Sequence, residues 1–235
     1  VKDILIDSRP EDITEEKILT IKKIIGDKEL WVGIGLETAD DVVRNLCINK
    51  SFLLKNFETA VKILQKLKAN LFVYLMFKPA FLTEQEAIED AKRTIKYLTN
   101  LSKKLSIPFP ISLEPVGLQG DCLLTELYLK GFYATPWLWS VVKVIKETYQ
   151  FTNGCLRVGI PEEVPQIIDR RHNYNANGAS CYCSELIEKC ILDFNQRKEI
   201  NTFDCLPRCA CRNNWRIFLR EEKDKSKIPL EERIK

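Results

Sequence analysis

Short runs of consecutive apolar residues alternate along this chain with longer stretches in which apolar residues recur every three or four positions. Asp3-Ile-Leu-Ile-Asp7 closes in Ser8-Arg9-Pro10, which predicts a strand ended by a turn. Ile18, Ile21 and Ile25 then form a stripe behind Thr14, Glu15 and Glu16, and Gly26 ends it, so a helix is expected there. Trp31-Val-Gly-Ile-Gly-Leu-Glu37 predicts a strand covered on both faces, with Thr38 as N-cap and Asp41 as box partner of a short helix to about residue 47. Gly33 and Gly35 weaken a strand, so something large is expected close to its backbone, and Glu37 falls at its carboxyl end.

After the connector Asn49-Lys50-Ser51, Phe57, Ala60, Val61 and Leu64 mark the inner face of a further helix. Leu71 to Phe77 is the next buried strand, closed by Lys78-Pro79. Thr83 and Glu86 form a capping box for a long helix with Ile88, Ala91, Ile95 and Leu98 inward. A strand within 107–116 ends at Glu114-Pro115, helices follow at about 122–130 and 137–149, and Leu156 to Ile160 is the last strand. Trp137 and Trp139, among Val141, Val142 and Val144, are expected in the core.

Strands alternating with helices imply a parallel sheet with right-handed crossovers. Asp7 with Arg9, Glu37, Lys78 and Glu114 sit at the carboxyl ends of the strands, where a parallel barrel gathers its site residues. Rim salt bridges are the alternative reading of the same charges. Four or five strands make only part of a barrel. The expectation is therefore a partial parallel (β/α) TIM-type barrel truncated on its amino-terminal side, with a complete small α/β fold as the alternative. The division expected is a core over 1–150, a Cys-rich extension over 151–220 and a loosely ordered charged tail over 221–235.

The chain has 235 residues, 45% apolar and 29% charged, with a net charge of +3, which is too small to indicate nucleic acid by itself. It holds no apolar run of about 18 residues and no leader-like start, so a cytoplasmic protein without a membrane span is expected. Nine cysteines, six of them between Cys181 and Cys211, favour thiol or metal chemistry over a disulfide framework. Cys181-Tyr-Cys183 and Cys209-Ala-Cys211 are two C-x-C pairs that suit zinc or an iron–sulfur cluster, with ordinary thiols as the alternative. Cys190 shares an amphipathic pattern with Leu186, Ile187 and Phe194 and reads as core. Arg170 and Arg171 beside His172, and Arg212 and Arg216 around Trp215, read either as an RNA grip with a stacking aromatic or as solvated basic faces.

Ser8-Arg9-Pro10-Glu11, Gly33-Ile-Gly-Leu-Glu-Thr38 and Cys47-Ile-Asn-Lys50 resemble the Elongator-type branch of radical S-adenosylmethionine (SAM) proteins. Pro136-Trp-Leu-Trp-Ser140, with the Phe77-Lys-Pro79 corner, narrows the likeness to the archaeal branch that makes archaeosine in tRNA. The match covers most of residues 3–150. It implies a partial TIM barrel binding SAM and a four-iron–four-sulfur (4Fe-4S) cluster. It also implies radical cleavage of a C–N bond in a lysine-modified deazaguanine of tRNA, with archaeosine synthase as partner. Gly33, Gly35 and Glu37 match the family's strand beside SAM, and Arg9 and Lys78 match polar positions at the mouth. Where this chain has Asp7 and Glu114 the family usually has Glu and Asn. The family's C-x3-C-x2-C cluster motif has no counterpart in these 235 residues. Two further readings therefore stand beside the enzyme: a zinc-knuckle module that binds RNA or a partner without catalysis, and a truncated inactive fragment.

Overall fold

Five strands lie side by side in chain order: β1 (Asp3–Ser8), β2 (Glu29–Glu37), β3 (Asn70–Phe77), β4 (Ile111–Pro115) and β5 (Leu156–Val158). Each neighbouring pair is parallel. The computed structural model describes residues 2–118, 120, 122–152, 154–159 and 182–234. Crossovers between parallel strands are right-handed in nearly all proteins. When sheet order equals chain order, crossovers of one hand all fall on the same side. Helices α1 (Glu15–Ile25), α2 (Leu54–Lys66), α3 (Glu84–Leu105) and, after the short α4 (Leu123–Leu129), α5 (Leu138–Thr152) follow these strands.

The burial pattern shows the consequence. Val32, Ile34 and Leu36 of β2 and Leu71, Val73, Leu75 and Phe77 of β3 are buried in one core with Phe57, Val61, Ile88, Leu98 and Val144 of the helices. The intervening Phe72, Tyr74 and Met76 are only half-buried. The apolar runs predicted strands covered on both faces; the observed alternation shows that the helices among the described residues cover one face only. β1 forms the edge of the sheet, with Leu5 exposed on it.

The chain's start signals act as expected in two places. Thr14 Oγ1 accepts the Lys17 N–H, and Thr83 and Glu86 form a reciprocal box at the head of α3. The third differs. Asp40, not Thr38, caps the turn after β2, accepting the N–H groups of Val42 and Val43, and that turn is π-helical over Val43–Cys47. Asp41 instead accepts the Leu54 N–H at 2.7 Å and pairs with Arg44.

Trp137 and Trp139 are core residues, and Cys190 is buried in α6 (Cys183–Arg197) with Ile187 and Phe194. Beyond α7 (Ala210–Glu221) the charged tail is not loose, because two of its acid and base groups are committed. Glu222 accepts the Glu84 N–H at 2.6 Å, and Arg233, at the end of α8 (Leu230–Arg233), forms a fork with both Glu86 oxygens at 2.7 Å. These contacts clamp residues 222–233 over the start of α3. No helix among the described residues is long and apolar enough to cross a membrane.

Candidate functional site

At the carboxyl ends of β1 and β2, on the face the helices leave open, lies a cleft of about 520 Å³. Asp7, Arg9, Gly33, Gly35 and Glu37, all singled out by the sequence, line it together with Ser8, Asp12, Lys50 and Tyr74. Gly33 and Gly35 are two apart on one strand, so both present bare backbone to this face. A Cβ on Gly33 would overlap the Asp7 carboxylate and press on the Tyr74 ring. On Gly35 it would sit 2.5 Å from a Glu37 carboxylate oxygen and 3.0 Å from Lys50 Nζ. The glycines thus leave the room that the charged side chains folded over them occupy.

Glu37 owes its position to a break in the sheet register between Gly35 and Glu37 and to a left-handed backbone, φ 65°. Its carboxylate pairs with Lys50 at 2.7 Å. Lys50 is held in turn by Arg9, whose Nη2 donates to the Lys50 carbonyl at 2.5 Å while Nε donates to Glu11. Behind this layer Arg44 is fully buried. It donates to the carbonyls of Leu36 and Thr38, which flank Glu37, and to that of Phe52 beyond the Lys50 connector. Burial lowers the Arg44 pKa while Asp41 and Asp40 oppose that shift. One guanidinium therefore ties together the two loops that carry Glu37 and Lys50.

Tyr74 stands between two carboxylates. Burial first, then the charges of Asp7 and Glu114 and the hydrogen bond to Asp7, raise its pKa. Glu114 lies further along the same face, accepting from Ser112 Oγ at 2.5 Å, and its carboxylate occupies the space a Cβ on Gly159 would fill. Tyr74 and Arg44 were not legible as site residues. The signal for Tyr74 was its even spacing from Phe72 and Met76 inside an apolar run.

Lys78 does not join the cleft. It is wholly buried, paired with Glu84 at 2.7 Å, and lies over the rings of Tyr133 and Phe218. The chain turns at Lys78 with φ 62°, which swings the side chain to a separate hollow of about 620 Å³ beside Tyr133 and Glu222. There the ammonium pairs with the buried Glu84 carboxylate.

In the carboxyl-terminal part, Cys183 at the head of α6 and Cys209 and Cys211 at the head of α7 bring their sulfurs within 4.8 Å of one another. That is a ligand set of the kind zinc takes. Trp139 Nε1 donates to Cys211 Sγ at 3.2 Å, a contact that would hold a sulfur ligand in orientation. Cys181, Arg170, Arg171 and His172 lie outside the described residues. Trp215 is buried and donates to Ser140 Oγ at 2.8 Å, so it cannot serve as a stacking platform. Arg216 is exposed, and Arg212 lies against the Trp139 ring.

A singly wound parallel sheet with charged groups at the strands' carboxyl ends is the α/β arrangement in which ligands sit at those ends. The structure matches that of archaeal Methanocaldococcus infernus Elp3, solved with residues 1–46 deleted, at a TM-score of 0.56 and 17% identity, over 69% of this chain and 36% of that one. Among curated proteins, the chain is 28% identical over 228 residues to archaeosine synthase subunit beta of Methanosarcina acetivorans, covering 94% of this chain and 60% of that protein. It is 37% identical over 145 residues to the protein of the same name from Thermococcus kodakarensis, covering 62% of this chain and 43% of the relative. An uncharacterized protein of Methanocaldococcus jannaschii matches at 27% over 231 residues, 98% of this chain and 59% of its own length. The chain thus spans at most 60% of the length of these curated relatives. No family model matches it.

Proposed function

We propose that this chain is part of a radical SAM enzyme of tRNA modification, of the kind that forms archaeosine with archaeosine synthase as its partner. The carrying observation is that Asp7, Arg9 and Glu37, singled out by their place at strand ends, meet Gly33 and Gly35 of β2 in one cleft on the uncovered face of the sheet, while Lys78 and Glu114 do not line it. The relatives named archaeosine synthase subunit beta support the pathway.

SAM fits the donor set of this cleft. Its amino-acid end carries an ammonium and a carboxylate, and the cleft offers Asp7, Asp12 and Glu37 to the one and Arg9 and Lys50 to the other. When bound, SAM would supply a hydrogen-abstracting carbon radical, and its reduction would call for an iron–sulfur cluster. The chain's residues do not fit that cluster, since no cysteine lines the cleft and the 235 residues hold no C-x3-C-x2-C spacing. What they do is bind and orient. The Glu37–Lys50 pair and the Asp7–Tyr74 hydrogen bond form a wall of fixed charge against which SAM and a substrate lie. The substrate implied is tRNA bearing a lysine-modified deazaguanine, whose C–N bond is cut to leave a formamidine.

Titration calorimetry with SAM tests this reading. Wild type is expected to bind, and Glu37→Gln to bind about tenfold to a hundredfold more weakly, the loss of one charged hydrogen bond. A wild type that takes up no heat with SAM overturns it. A second reading, a metal-knuckle module without catalysis, is favoured by the Cys183–Cys209–Cys211 cluster; it requires bound metal in a chain indifferent to SAM.

A further inference from the structure

On the helical side of the sheet, α5 and α7 enclose a groove of about 940 Å³. Lys143 and Lys146 enter it from α5, and Arg212, Arg216, Arg220 and Lys223 from α7 and the turn after it. Glu147 and Asp204 are its only carboxylates; Lys143 pairs with the first and Lys146 faces the second at 3.6 Å. The other four cations form no ion pair among the described residues. Arg212, Arg216 and Arg220 sit four apart on one helix, so they make a ridge with a step of about 6 Å. The Arg212 guanidinium lies 5.2 Å from the Trp139 ring centroid, and its Nε is shielded from solvent with no acceptor.

We propose that this groove binds the sugar–phosphate backbone of RNA. The inference rests on the RNA-substrate reading above and adds where the body of that RNA is held, on the layer opposite the cleft. Guanidinium groups match the paired oxygens of a phosphodiester in a way that they match few other surfaces. Trp139 and Trp215 floor the groove but are buried, so no ring is free to stack on a base. The contact is therefore electrostatic and indifferent to base identity, a positioning contact that leaves recognition of the modified base to the cleft.

Fluorescence anisotropy with a tRNA transcript, between about 50 and 200 mM salt, tests this. The double variant Arg216→Ala/Arg220→Ala is expected to bind at least about tenfold more weakly, and its log–log salt slope to fall by about 2. Lys62→Ala/Lys96→Ala, on exposed parts of α2 and α3, serves as the control and is expected to bind as wild type. The groove variant keeps its SAM heat, while Glu37→Gln loses SAM and keeps tRNA, so failure at either site is told from failure at the other. Equal affinity and slope in wild type and double variant overturn the proposal. So does polyglutamate competing as strongly as RNA of equal charge, which would assign the groove to an acidic protein.

Discussion

Single residues in this fold carry charge in places where charge is costly. Lys78 and Glu84 are both almost fully buried and answer only each other and their polar neighbours. Breaking such a pair leaves an uncompensated buried charge, at a cost of about 3–5 kcal/mol. Lys78→Met is expected to lower the denaturation midpoint accordingly, and Lys78→Met/Glu84→Gln to recover most of the loss, since Gln still accepts the Trp137 N–H. A double variant as unstable as the single one would contradict this. Asp90, which accepts from the Thr38 hydroxyl at 2.9 Å, shows the pH side of burial. Desolvation raises its carboxyl from the usual 3.8 to about 6, while Thr38 and Arg93 pull the other way. The native state then keeps a proton that the unfolded chain releases between about pH 4 and 6. Stability should fall as pH rises through that window and level off above it, by about 3 kcal/mol. Thermal melts from pH 4 to 7 check this, because Asp90→Asn removes the slope if Asp90 is its source. The glycines were legible at this scale, since a strand tolerates them only for a reason. Arg44 and Lys78 were not, because nothing in the one-dimensional pattern tells a buried, fully answered cation from an exposed one.

Secondary-structure elements followed the apolar spacing closely where a cap or a breaker framed them, as Thr14 and Gly26 frame α1 and Thr83 frames α3. The π-helical turn at Val43–Cys47 escaped because side chains set it: Asp40 accepts the Val42 and Val43 N–H groups, Asp41 accepts the Leu54 N–H, and Arg44 donates to the carbonyls of Leu36, Thr38 and Phe52. The tail escaped for a similar reason. It lacks an apolar stripe and is held by polar forks, above all Arg233 on Glu86. Arg233→Ala is expected to make residues 222–235 accessible to limited proteolysis while the sheet stays intact; equal resistance to wild type would refute the clamp. The heads of α6 and α7 meet at Cys183, Cys209 and Cys211, and their C-x-C spacing was visible in the sequence. Elemental analysis should find about one zinc per chain, and chelation should lower the melting temperature. A metal-free chain that melts no lower than the metal-replete one would exclude a structural metal.

At the scale of the whole molecule, sheet order decides what the chain can do. Strands in the order β1 to β5 put every crossover on one side, and so leave a mixed polar and aromatic face that no helix among the described residues covers. Alternation of strands and helices made the parallel sheet legible. It did not show which face stays open, because an apolar run that is half core and half cleft wall, such as Leu71–Phe77, looks the same as one buried on both sides. The central claim is that this open face, at the ends of β1 and β2, is where SAM binds. Hydrogen exchange with and without saturating SAM reads that directly. Slowed exchange is expected at residues 7–12, 33–38 and 49–51, with no change along α7. No protection in those segments, or protection centred on α7 instead, would contradict it.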